Sequence, residues 1–117
     1  MAVFKYAIPI LPESLNKYAG RQNVWEYRQK KQEWKQIINA YCRPRPAKPI
    51  EKAAVKLHYV FPDGRRRDPD NYAGKMVLDG LVTAGILKDD SFNCIELTLS
   101  AETQKGVEKL VIEVDGL

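Results

Sequence analysis

Apolar residues recur at every second position in four separate segments of this chain, a period that constrains the fold more than any other feature. Phe4, Tyr6, Ile8 and Ile10 share one face, with Lys5 opposite. Val55, Leu57, Tyr59 and Phe61 repeat the pattern. Asn93, Ile95, Leu97 and Leu99 alternate with Cys94, Glu96 and Thr98, and Leu110, Ile112 and Val114 alternate with Val111, Glu113 and Asp115. Side chains of a strand point to opposite faces in turn, so each segment reads as a strand with one buried face. Pro9 and Pro12 end the first strand, because neither can donate to a ladder. His58 falls on the polar face of the second strand and reads as a structural histidine. A turn near Gly106 joins the last two strands.

Between these strands the period changes to that of a helix. Val24, Tyr27, Trp34, Ile37, Ile38 and Tyr41 recur at three-, four- and seven-residue steps, with Arg28, Lys30, Lys31 and Lys35 between them. Asn23 is placed to cap this helix, and Glu26 completes a box-like pattern. Its apolar stripe suits a core or a helix–helix dimer seam. The segment from Cys42 to Pro49 holds three prolines and cannot be helical, so it is a linker that exposes Arg43, Arg45 and Lys48. A second helix is expected from Tyr72 to Ala84, weakened by about 1 kcal/mol at each of Gly74 and Gly80. Gly85 suits its C-terminal cap. The order strand, helix, strand, helix, strand, strand describes a small α/β domain with a mixed β-sheet, a single domain over residues 1–117.

Composition narrows the function. With 117 residues, 44% apolar and 29% charged, the chain has enough core for one domain and too little polarity for extended disorder. No run is long enough to span a bilayer, and the N-terminus lacks the layout of a signal peptide. Cys42 and Cys94 have no metal-ligand spacing and read as reduced thiols of a cytoplasmic protein. The net charge of +4 conceals a division. Residues 1–68 carry fifteen Lys/Arg against six Asp/Glu, whereas residues 69–117 carry four against nine. An electropositive surface beside an acidic site suits a polyanion and a metal. Pairing of the two signs within the fold is the plainer explanation.

The chemistry concentrates in Arg65-Arg66-Arg67-Asp68-Pro69-Asp70-Asn71, with Asp89-Asp90 following. Pro69 biases Asp68 to extended backbone. Asp70 is expected at or near the N-terminus of the second helix, where the dipole favours a carboxylate. Oxygen ligands gathered at one point suit Mg²⁺, which takes one or two carboxylates plus water and phosphate oxygens. Arg65, Arg66 and Arg67 suit a phosphodiester backbone, and Lys75 would add a cation at the developing charge. A helix of about fourteen residues is roughly 21 Å long. Asp90 therefore reaches Asp68 and Asp70 only if the next loop doubles back or a dimer completes the site. Asp-Pro-Asp-Asn is equally good turn and cap chemistry.

Arg67-Asp68-Pro69-Asp70-Asn71, Lys75, Leu78-Asp79-Gly80-Leu81, Ala84-Gly85 and Asp89-Asp90-Ser91 resemble the signature of the RusA family of Holliday-junction resolvases. The proline-rich opening from Ile8 to Tyr18, with Ser14, Asn16 and Lys17, resembles that family's segment after its first strand. The resemblance covers residues 8 to about 100. It implies a RusA-like fold and a homodimeric, Mg²⁺-dependent endonuclease, often prophage-encoded, with Mn²⁺ as a substitute ion. Such an enzyme resolves four-way DNA junctions by paired symmetric nicks in recombination and repair. It further implies that Asp68, Asp70 and Asp90 are catalytic metal ligands, with Asn71 and Lys75 at the same site. Lys75 departs from the pattern: it stands five residues after Asp70, with Gly74 in the expected place. A local bulge or a later helix start would reconcile it. Twofold symmetry of a dimer would match that of the junction.

Two other readings remain open at this point. A non-catalytic nucleic-acid-binding module of phage origin would use the basic half, Trp25, Tyr27 and the linker from Arg43 to Lys48. A metal-dependent phosphatase or nuclease on other substrates would share the aspartates without preferring branched DNA. Asp79 and Asp89 are alternative ligands, although Asp79 stands four residues after Lys75, the spacing of a helical ion pair.

Overall fold

The computed structural model describes residues 3–15 and 24–117. Asn16, Lys17, Tyr18, Gly20 and the Asn23 cap lie outside the described residues. Strand β1 (Val3–Ile8) precedes helix α1 (Val24–Tyr41) and strand β2 (Ala53–Phe61). A 3₁₀ turn (Pro69–Tyr72) then leads to helix α2 (Lys75–Thr83), strand β3 (Ile95–Thr103) and strand β4 (Lys109–Gly116). The protein is thus a small α/β domain with a four-stranded mixed sheet.

The strands lie in the order β1-β4-β2-β3. β4 runs antiparallel to both β1 and β2, whereas β2 and β3 are parallel, with Ala53 opposite Ile95 and Phe61 opposite Thr103. Parallel neighbours need a crossover, and α2 lies within it. Hence the segment after Phe61 leaves one end of the sheet, and the segment before Ile95 enters at the other.

Alternation settles which face is inside. Tyr6 and Ile8, the odd residues from Ala53 to Phe61, Ile95, and Leu110, Ile112 and Val114 join one buried cluster with both helices. Trp34 and Ile38 bring the centre of the α1 stripe into that cluster, whereas Val24 and Tyr41 at its ends are exposed. The other face carries His58, whose Nδ1 lies 2.6 Å from Ser100 Oγ and whose Nε2 lies 3.0 Å from Glu102. Both ring nitrogens are therefore occupied. Among the described residues no helix is long and apolar enough to cross a membrane.

Four local expectations are revised. β1 ends at Ile8, leaving Ile10 exposed, because Pro9 cannot extend the ladder. β3 begins at Ile95, because the Cys94 and Ile95 amides close a turn on the Ser91 carbonyl. The linker does not expose all three cations. Arg45 folds back and donates to the carbonyls of Cys42 and Asn39, at 3.2 and 2.6 Å. The last turn of a helix leaves carbonyls without intrahelical donors, and a guanidinium is well suited to them. Finally, α2 begins at Lys75 and not at Tyr72, with Gly74 before it at φ 81°.

Gly80 fits the crossing of the two helices. A Cβ there would lie 2.8 Å from Ile38 Cγ1 and 3.2 Å from Ile38 Cβ. Alanine would gain about 1 kcal/mol of helix propensity, but overpacking of a filled core costs about 1–3 kcal/mol. Gly80→Ala is therefore expected to lower stability by about 1 kcal/mol in urea unfolding, the reverse of its effect in an isolated helix. Cys42 and Cys94 are free. Burial raises the Cys42 thiol to about 12, so a thiol reagent should modify Cys94 well before Cys42 in the native protein.

Candidate functional site

The site begins where β2 ends. Pro62-Asp63-Gly64 turns the chain, and Asp63 Oδ1 accepts the Arg65 amide at 3.0 Å. Arg67 then folds inward. Its guanidinium lies 4.2 Å from the centre of the Phe61 ring and 3.0 Å from Asp63 Oδ1. Nη1 also donates to the carbonyls of Asp63 and Arg65. The Arg65 amide first, and then Arg67, hold the Asp63 carboxyl below its ordinary value. A guanidinium stacked on an aromatic face and hydrogen-bonded on its edge is a fixed part of a loop. The arginine run therefore divides by role: Arg67 is 11% exposed and clamps the turn, whereas Arg65 and Arg66 are 79% and 88% exposed.

Asp68 has the extended backbone that Pro69 imposes, φ −99° and ψ 135°. Its carbonyl accepts the Asn71 amide at 3.0 Å, closing the 3₁₀ turn. Asp68 Oδ1 lies 3.2 Å from Arg66 Nε. Asp70 stands exposed in the first turn of this 3₁₀ segment, shortly before the N-terminus of α2. Tyr72 pins the turn to the core: its carbonyl accepts the Tyr59 hydroxyl, and its ring meets Tyr59 and Phe61 edge-on. Gly74 then interrupts the backbone in the left-handed region, and Lys75 opens α2 with an exposed side chain.

A polar cleft of about 330 Å³ forms over this loop. Ser14 lines it from the segment after β1, together with Arg65, Arg66, Asp68 and Asn71. A second cleft of about 330 Å³ shares Ser14, Arg65 and Arg67 with it and extends to Leu11, Pro12 and Glu108. Residues more than fifty positions apart thus meet at one surface. Alternation and motif spacing alone did not place Ser14 there.

Asp90 is placed differently. The loop after α2 is stitched to the linker, Ile50 donating to the Ile86 carbonyl and accepting from Lys88, at 2.9 and 3.0 Å. It turns back far enough to set Asp90 against Asp79. Burial, then the neighbouring charge of Asp79, raises the Asp90 carboxyl above its ordinary value. Asp79 in turn lies 3.3 Å from Lys31 of α1 through Oδ2, a buried atom with no partner in hydrogen-bond geometry. The expected Lys75–Asp79 pair is replaced by this contact, because α1 crosses α2 there and supplies a cation from the core side.

Among the described residues, no three His, Cys, Asp or Glu side chains form a group able to hold a metal ion. Asp68, Asp70 and Asp90 are therefore not gathered at one point in this arrangement. What the loop can do is hold an anion: two outward guanidinium groups flank a hydroxyl and an amide. Asp89 is exposed.

The raised Asp90 carboxyl has a consequence for stability. A carboxyl raised on folding supports the fold below its unfolded value and loses that support as pH rises through the folded value. Asp90→Asn should therefore raise the melting temperature at neutral pH in EDTA. It should also flatten the decline just above the ordinary aspartate range.

No protein-family model matches this chain, and a search of curated proteins finds no match.

Proposed function

We propose that this chain is a structure-selective DNA endonuclease of the RusA type, resolving four-way junctions by paired symmetric nicks. One observation carries the reading: Ser14, Arg65, Arg66, Asp68 and Asn71 line a single cleft. The resemblance draws on both segments that supply them. Arg65 and Arg66 would engage phosphate, and release of condensed counterions would make binding salt-dependent. Asp68 and Asp70 would be catalytic, with Lys75 at the start of α2. Mg²⁺, or Mn²⁺ in its place, is the cofactor this reading entails, and it requires Asp90 to join the other two aspartates. A homodimer would supply the second site for the second strand.

The pairing of Asp90 with Asp79 favours a second reading, a nucleic-acid-binding module without catalysis. In it the basic helix would contribute Trp25, which is 75% exposed with Arg28 5.8 Å from its ring. The two readings separate in a titration of a labelled four-way junction at several salt concentrations, followed by Mg²⁺. Both give a steep salt dependence, flattened in Arg65→Ala and Arg66→Ala. Only the endonuclease then nicks the bound junction when Mg²⁺ is added. Salt-independent binding, or none, contradicts both.

A further inference from the structure

We infer that the aromatic cavity beside Asp68 is a subsite for one unpaired nucleobase, an inference that rests on the endonuclease reading and deepens it. The cavity measures about 250 Å³ and is walled by Tyr59, Phe61, Pro69 and Tyr72, with Leu99 and Ala101 of the neighbouring strand β3 beside Tyr59 on the same sheet face. Pockets for drug-sized ligands start at about 300 Å³, so this one suits a single small ring system and not a base pair. Its walls are fixed in advance. The Tyr59 hydroxyl is bonded to the Tyr72 carbonyl, and the Tyr59 and Phe61 rings lie within 5° of parallel. A preset aromatic wall avoids the ordering cost of assembling one on binding.

Position points to a base rather than another flat apolar group. Arg67 and Asp68 line this cavity and also the polar cleft that Arg65 and Arg66 flank. A ligand bridging the two spaces has a planar ring at one end and an anion at the other, as a nucleotide does. β3 is an edge strand of the sheet, which leaves the Ala101 side without a covering strand. Tyr59 and Phe61 are 2% and 7% exposed, so half-buried Tyr72 is the ring a base would stack on, and bases already unpaired at a branch point cost least to extrude.

The test uses the full chain and four-way junctions in which one nucleotide at a time, around the branch point, is replaced by an abasic residue. Loss of the base at one position should weaken binding about tenfold, the range of a single stacked base. Ala101→Trp fills the cavity from an exposed strand position. It should weaken binding of the intact junction by a similar factor and remove the abasic penalty at that position. Leu99→Phe is the second filling variant, and a melt confirms that each is folded. If the wild type binds the intact junction and nicks it in Mg²⁺ but no abasic position matters, the subsite is wrong and the endonuclease reading stands. The same holds if the penalty survives both filling variants. If the wild type binds no junction, both fail.

Discussion

Asp70→Asn should abolish cleavage of a four-way junction while leaving binding intact or slightly tighter. Asp70 is exposed on the 3₁₀ turn beside Asp68, so exchanging its carboxylate for an amide disturbs no core contact. Removing one negative charge from the loop that carries Arg65 and Arg66 lessens repulsion of the phosphate backbone. On the endonuclease reading the hydrolysis depends on that carboxylate, and a loss of about 4 kcal/mol of transition-state stabilisation lowers the rate on the order of a thousandfold. Single-turnover cleavage and filter binding on the same junction check the two halves separately. Loss of binding in a folded Asp70→Asn protein contradicts the assignment, as does retention of cleavage.

The largest effect on stability is expected at Gly74. Its φ of 81° is a conformation that L side chains adopt at a cost, and a Cβ there would run into Leu57 Cδ1. The left-handed backbone costs about 1–2 kcal/mol for a non-glycine residue, and forcing a methyl into a packed core adds about 1–3 kcal/mol. Gly74→Ala should therefore destabilise by about 3 kcal/mol, lowering the melting temperature on the order of 10 °C. Because Gly74 joins the Asp68–Tyr72 turn to Lys75, the same variant should slow cleavage even well below its melting temperature. An unchanged melting temperature would show that the turn does not need this backbone.

Gly74 also shows where reading the sequence stopped. A glycine between Tyr72 and Met76 reads as the interior of a helix, where its effect is one of helix propensity alone. In the structure Tyr72 is held outside the helix by the core, since its ring packs on Tyr59 and Phe61. Such a contact spans eleven or more residues and leaves no trace in a local period. The strands were legible because alternation depends on one buried face alone. Pro69 likewise fixed the backbone of Asp68 from sequence.

What required the third dimension was the choice of partner for each charge. Arg67 looked like a third phosphate ligand, but the Phe61 face and Asp63 carboxylate hold it inward. Lys75 stands one helical turn before Asp79, yet Lys31 takes that carboxylate because α1 passes over it. Arg45 looked exposed in a proline-rich linker, and the open carbonyls at the end of α1 drew it back. In each case the deciding group is an aromatic face, a helix end or a crossing helix. None of these is encoded by the spacing of the charge itself.

The most direct measurement is strand-by-strand mapping of nicks in a labelled synthetic four-way junction, beside matched linear duplex, with Mg²⁺ and with EDTA. A RusA-type endonuclease gives paired, symmetric nicks in the junction alone, lost in EDTA and in Asp70→Asn. Tight junction binding with no nick in Mg²⁺ or Mn²⁺ would contradict the endonuclease and leave a binding module built on the same cleft.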